Sequence, residues 1–256
     1  MCILFIAVNS HPNYPLIIAA NRDEFHTRPT QAMSWWQERE LLAGKDLQAD
    51  GTWLAIRANG FLSALTNFRE LPLKTGEFKS RGELPLLALE KTEQEVKAHL
   101  IKHSNAYQGF NLLFGNHQNL ICFDSSKKQF TPLSQGFHSI CNGSLDDKWP
   151  KMARGEQALE AYVNQHQEIN HQALFDLLTD QQQAPDELLP ETGIGLEWER
   201  TLSSIMIIGK EYGTRSSCVY TLSRQGHIAV SERTFSPTGE CLNSLTFNWQ
   251  IDINNS

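Results

Sequence analysis

Met1-Cys2-Ile3-Leu4-Phe5-Ile6-Ala7-Val8-Asn9-Ser10-His11-Pro12-Asn13-Tyr14-Pro15-Leu16-Ile17-Ile18-Ala19-Ala20-Asn21-Arg22-Asp23-Glu24 opens the chain. Two apolar runs, 3–8 and 16–20, flank a stretch rich in turn-forming residues, which predicts a β-hairpin with both strands largely buried. A turn centred on Pro12-Asn13 pairs residues whose numbers sum to 25 and sets Cys2 opposite Asp23. Four polar residues, Asn21 to Glu24, then close the second strand. By the two-residue period Asn21 and Asp23 share one face and Arg22 the other. The hairpin alone thus brings a carboxylate beside the start of the chain.

The same opening excludes several classes. It has no basic segment ahead of a long apolar core, so no secretory leader is expected, and no apolar run is long enough for a transmembrane helix. The chain has 256 residues, with 22 Lys and Arg against 29 Asp and Glu, a formal net charge of −7. The acidic balance argues against a nucleic-acid partner. The five cysteines at 2, 122, 141, 218 and 241 are scattered and contain no CxxC pair, which fits a reducing, cytoplasmic setting and offers no zinc ribbon. His99 and His103 have metal-like i,i+4 spacing, but no third ligand or HExxH pattern accompanies them, so neither a metal nor a cofactor is expected.

Outward from the first hairpin, residues 52–57 and 61–67 form a second about Asn59-Gly60. Residues 81–104 read as helix, 110–115, 119–124 and 137–141 as strands. Residues 148–165 and 170–180 read as helices, the latter capped by Asn170. Residues 181–199 have loop composition and are a candidate lid. Strands are expected at 202–209, 217–223 and 227–234. Blocks of strands separated by helices indicate an α+β or layered αββα architecture rather than alternating βαβ units. With no linker and no repeat, one domain over 1–256 is expected.

Cys2 is the sharpest candidate for chemistry. Once the initiator methionine is removed, as a small second residue permits, its own α-amine can accept the thiol proton. The alternative is a small buried hydrophobe on a first strand. Asp23 could orient that amine or end a solvated strand. Asn67 and Asn142, each at a strand end, could donate to an oxyanion or simply cap turns. Arg215, in Tyr212-Gly213-Thr214-Arg215, could clamp a carboxylate or hold a turn.

The opening with Ala19-Ala20-Asn21-Arg22-Asp23-Glu24-Phe25 resembles the NRDE family, whose eukaryotic members are the transport-and-Golgi-organisation proteins. Further matching segments run nearly end to end. They include Gly51-Thr52-Trp53-Leu54-Ala55, Ser80-Arg81-Gly82-Glu83-Leu84, Gly109-Phe110-Asn111-Leu112, Trp149-Pro150-Lys151 and Ser231-Glu232-Arg233. The family in turn is similar to the N-terminal-nucleophile hydrolases of the choloylglycine hydrolase and acylase branch. That resemblance implies a four-layer αββα sandwich of antiparallel sheets. It also implies Cys2 as nucleophile, Asp23, Asn67, Asn142 and Arg215 as catalytic, and Asn21 and Arg22 as substrate-binding. Arg22 is displaced relative to the branch's arginine, which would fall on Ala20.

Two functions follow from the resemblance. One is an N-terminal cysteine amidohydrolase acting on non-peptide C–N bonds. The other is a non-catalytic carrier or chaperone for haem, a lipid or an acyl-CoA, in a cleft lined by some of Trp35, Trp36, Trp53 and Trp149. The partner expected in either case is a small amide or a hydrophobic ligand, with no nucleic acid and no integral membrane segment. A structural adaptor without a pocket is the third reading, disfavoured by the polar strand ends.

Overall fold

The first hairpin forms as its composition dictates, but one residue out of the expected register. The computed structural model describes residues 2–69, 76–147 and 149–253. Strands β1 (Cys2–Val8) and β2 (Leu16–Phe25) pair so that Cys2 faces Arg22, not Asp23, and Val8 faces Leu16. The cause is the turn. Asn9 adopts a left-handed φ of 48° and its N–H meets the Pro15 carbonyl at 2.8 Å, which centres the loop on Pro12 itself. Period two then puts Cys2, Leu4, Ile6 and Val8 on one face, and Ile3, Phe5 and Ala7 on the other.

The chain continues through β3 (Thr30–Trp36), β4 (Leu41–Asp46), β5 (Leu54–Arg57), β6 (Leu62–Asn67), α1 (Glu83–Glu90) and α2 (Glu93–His103). Next come β7 (Phe110–Gly115), β8 (Leu120–Asp124), β9 (Gln129–Pro132), β10 (Gly136–Ile140), α3 (Pro150–Gln165), α4 (His171–Leu178) and α5 (Leu196–Thr201). The last strands are β11 (Tyr212–Leu222), β12 (His227–Phe235) and β13 (Cys241–Gln250). One sheet has the order β10-β1-β2-β11-β12-β13 and the other β3-β4-β5-β6-β7-β8-β9, every neighbouring pair antiparallel.

The even-numbered face of β1 packs with Leu54, Ile56, Leu62 and Leu113 of the opposite sheet, forming the core between the sheets. The odd-numbered face packs beneath Met152 and Leu159 of α3 and Leu174 and Phe175 of α4. Helices α1 and α2 cover the outer face of the second sheet through Leu84, Ala88, Val96 and Leu100. The result is the expected four-layer αββα sandwich. Each large apolar side chain buried in these layers contributes about 1.5–3 kcal/mol. The α3 layer lies close to its sheet because position 155 is glycine; a side chain there would run into the Phe5 ring.

Helix starts follow local chemistry. Thr92 and Glu95 form a reciprocal capping box on α2, Pro150 occupies the first turn of α3, and Asn170 Oδ1 accepts from Gln172 N–H at 2.8 Å to cap α4. Residues 202–209, expected as a strand, are instead a turn-and-bend segment. Leu202, Ile205, Met206 and Ile207 are buried because the segment closes over the ends of β2 and β11. The Ile205 carbonyl accepts from Asn21 Nδ2 at 3.0 Å, and Ile207 exchanges hydrogen bonds with Thr214. Strand β11 therefore begins at Tyr212 rather than 217. Among the described residues, no helix is long and apolar enough to cross a membrane.

Candidate active site

Sheet register builds the floor of the site. Cys2 pairs with Arg22, Arg22 with Ser216, and Ser216 with Thr234. Directly opposed residues share a face, so these four side chains form one row across β1, β2, β11 and β12. All four line a cleft of about 710 Å³ between the sheets. Asp23 borders the same cleft. Its Oδ1 accepts from Thr214 Oγ1 at 2.6 Å, just before the register shift in β11 that bulges Arg215 out of the ladder.

The opposite wall comes from Thr52, Trp53, Leu65 and Asn67, and from the segment ahead of α1. That segment is held close because a Cβ on Gly51 would sit 2.5 Å from the Gly82 backbone, while Thr52 N–H meets the Gly82 carbonyl at 2.9 Å. The approach delivers Arg81 into the cleft, where its Nη1 donates to the Gly109 carbonyl at 2.8 Å. Asn67 ends β6, and among the described residues its side-chain amide has no protein partner.

Among the described residues six cations line the cleft, Arg22, Arg28, Lys45, Lys79, Arg81 and Arg215, against the carboxylates of Asp23, Glu24, Asp46 and Glu232. The site is thus cationic within an acidic chain. Arg28 is spoken for by Asp46 at 2.7 Å and Lys45 by Asp50 at 3.0 Å. Burial pushes the Cys2 thiol up to about 11, opposed first by the N-terminal ammonium charge, with the Asp23 charge adding to the rise and Arg22 opposing it. Burial also raises the Asp23 carboxyl, opposed by the N-terminal ammonium charge, Lys151, the Thr214 hydrogen bond and Arg22.

Burial raises Glu232 to about 7, although the Met33 N–H at 2.6 Å and Arg22 both favour its charged form. The folded-state pKa is raised, so the cost of ionising Glu232 is absent below the unfolded value and fully present above about 7. Glu232→Gln is therefore expected to gain stability relative to the parent by about 3 kcal/mol between pH 4 and pH 8. Urea denaturation at those two pH values checks this, and a pH-independent difference would refute it.

The structure gathers Cys2, Arg22, Asp23, Asn67 and Arg215 around the cleft, and leaves two expected site residues outside it. Asn21 is fully buried on the helical side. Its Nδ2 donates to the Leu178 and Ile205 carbonyls and its Oδ1 accepts from Ser217 Oγ, so it ties β2 to the helical layer and does not reach a substrate. Asn142 is also fully buried, behind Asn67. Its Nδ2 donates to the Asn67 carbonyl at 2.8 Å and its own carbonyl accepts from Arg69 N–H at 2.8 Å.

Arg215 lines the cleft while donating from Nη1 to the carbonyls of Phe25, His26 and Arg28, which makes it the clasp of the loop after β2. None of residues 181–199 lines the cleft, so that segment is not its lid. Of the four tryptophans considered, only Trp53 lines it. Trp35 packs edge-on against Trp249, Trp36 donates to the Ala43 carbonyl, and Trp149 lies under the Arg69 guanidinium.

Sequence reasoning missed Arg81, Lys79, Arg28 and Glu232 as cleft residues. For Glu232 a signal existed. It continues the buried face of β12 set by Ile228 and Val230, where a carboxylate is out of place without a function. His99 and His103 set their rings 4.7 Å apart on α2, and among the described residues no group of three or more acidic, histidine or cysteine side chains is placed to hold a metal.

Comparison with known proteins agrees with this architecture. The family model described as Transport and Golgi organisation 2 matches residues 1–237. The Transport and Golgi organization protein 2 homolog of Bos taurus is 32% identical over 260 residues, covering 91% of this chain and 93% of that protein. Its Homo sapiens counterpart is 30% identical over 258 residues, with the same coverage of 91% and 93%. Among solved structures, one variant of the conjugated bile acid hydrolase of Clostridium perfringens aligns with a TM-score of 0.56 at 11% identity, covering 100% of this chain and 93% of that one. A second variant gives 0.53 at 10% identity, covering 98% and 97%. At such identity the likeness is one of fold, that of the N-terminal-nucleophile hydrolases.

Proposed function

This chain belongs to the transport and Golgi organisation 2 family, and on that premise we propose that it is an amidohydrolase acting on non-peptide C–N bonds, with Cys2 as nucleophile once Met1 is removed. The observation that carries the reading is the placement of the Cys2 thiol at one end of a polar cleft floor, beside Arg22 and Asp23 and across from Asn67. A thiol held at about 11 is almost wholly protonated at neutral pH and needs a base. The α-amine of a Met1-free chain supplies one on the same residue.

In the proposed reaction the amine takes the thiol proton and the sulfur attacks the amide carbonyl carbon. The resulting oxyanion is met by the Asn67 amide, and the ammonium returns its proton to the leaving nitrogen as the C–N bond breaks. Water, deprotonated by the same amine, then cleaves the thioester and restores the thiol. Asp23, anchored by Thr214, orients the amine. Asn142 acts through the Asn67 backbone, and Arg215 through the loop it clasps.

The test has two parts. Intact-mass measurement on protein from cells reports whether Met1 is absent, and a neutral acyl probe should then add one acyl group that Cys2→Ala abolishes. Retained Met1 in the active form, or labelling that survives Cys2→Ala, defeats the proposal. The carrier reading loses much of its motive, because Trp53 is the one tryptophan of the four in a cleft otherwise rich in charge.

A further inference from the structure

The cleft floor extends well beyond Cys2. From Cys2 to Thr234 it crosses three strand spacings, or about 14 Å. At that far end, one pleat deeper along β12, sits Glu232, 3% exposed and lining the cleft. A bulge in β3 between Gln31 and Ser34 interrupts the ladder with β4, and Glu232 Oε2 takes the Met33 N–H there at 2.6 Å. Among the described residues the other oxygen, Oε1, has no hydrogen-bond partner. On β4, a Cβ added to Gly44 would lie 3.7 Å from it. A buried carboxylate with one oxygen anchored and the other open is destabilising to the fold, and such groups are kept where a ligand completes them.

We propose that Glu232 forms a distal subsite that accepts a hydrogen bond from a donor group, an amine or a hydroxyl, carried at the far end of the acyl portion of the ligand. The subsite deepens the amidohydrolase reading, on which it rests for the ligand's orientation: acyl carbonyl at Cys2 and Arg22, donor at Glu232. The glycine at 44 leaves room for that donor. A carboxylate here rejects a methyl-ended chain, because Oε1 would then be sealed from water without a partner.

Binding, not turnover, tests this. ω-Aminodecanoate, ω-hydroxydecanoate and decanoate, whose extended chains match the span, are titrated by calorimetry into Cys2→Ala protein carrying Glu232, Glu232→Gln or Gly44→Ala. With Glu232 present, both donor-ended acids should bind about 10-fold tighter than decanoate. In Glu232→Gln the side-chain carbonyl is taken by Met33 N–H, so an amide N–H₂ faces the ligand's end, and the preference for ω-aminodecanoate, whose ammonium can only donate, should vanish, whereas the hydroxyl of ω-hydroxydecanoate can accept from that amide. Gly44→Ala, which leaves the carboxylate in place but sets a methyl group in contact with Oε1 where the ligand's donor would sit, should reduce the preference for the donor-ended acids. Equal binding of the three acids to the Glu232 protein, an unchanged preference for ω-aminodecanoate in Glu232→Gln, or no binding of any acid would overturn the subsite. Acyl labelling of Cys2 in the otherwise unsubstituted protein judges the hydrolytic reading separately.

Discussion

Arg69→Met should destabilise the protein by about 3–5 kcal/mol, the cost of leaving one partner of a buried ion pair uncompensated. Arg69 Nη1 meets Glu199 Oε2 at 2.9 Å, with the two side chains 9% and 6% exposed. The pair joins the strand end that carries Asn67 to α5. Around it, Glu199 Oε1 accepts from Thr192 N–H at 3.0 Å and from the Thr192 hydroxyl, and the guanidinium lies over Trp149. Methionine keeps much of the apolar stem, so packing loss is small and the unpaired Glu199 carboxylate dominates. Adding Glu199→Leu should restore most of the lost stability, since it removes the stranded charge. Urea denaturation of the two single variants and the double variant measures this. A loss below about 1 kcal/mol in Arg69→Met would mean that the pair behaves as a solvated surface bridge.

The network also explains why 181–199, which reads as a lid from composition, is not one. Loop composition reports backbone freedom in the unfolded chain, whereas Glu199 and Arg69 are distant in sequence and meet only after the sheets have formed. The same division runs through the rest of the molecule. Local signals placed both early hairpins, helices α1 to α4 and the Asn170 cap, because turn residues and periodicity act over a few positions; α5 fell inside the stretch read as loop. The alternation of Asn21, Arg22 and Asp23 between faces was legible for the same reason. The register of the first hairpin was not, since one left-handed residue, Asn9, decides it.

Strand β13 went unread although Leu245, Phe247 and Trp249 alternate with polar neighbours, because its edge position leaves much of it exposed and its pattern weak. Residues 202–209 misled in the opposite direction: their burial comes from closing over strand ends, not from a ladder. In the site, Cys2 and Asn67 announced themselves at element ends. Arg81 and Glu232 did not, because each is brought to the cleft by an approach between distant segments, Gly51 to Gly82 for one and β3 to β12 for the other.

A Met1-bearing chain should leave Cys2 inert at neutral pH, and removing Met1 should raise its acylation rate by about 10²–10⁴-fold, the range expected of a positioned general base. With the thiol at about 11, roughly one molecule in ten thousand is thiolate at pH 7. Burial is the chief cause, and neither the N-terminal ammonium charge nor Arg22 offsets it. A free α-amine titrating near ~7.7–8.0 changes which group limits the rate. The neutral amine is the reactive form, so in Met1-free protein the rate should climb with pH and level off above about 8. In the Met1-bearing form it should keep climbing toward the thiol's own range. The two forms are made by releasing the chain from an N-terminal fusion either before Met1 or before Cys2, and both are followed with a neutral activated ester between pH 6 and 11. Cys2→Ser should lose most of the rate in either form, because the hydroxyl is the weaker nucleophile. Equal rates for the two N-termini, or a Met1-free profile that rises only near 11, would show that the amine is not the base. The buried thiol would then be the first strand's small hydrophobe, with its cleft serving binding alone.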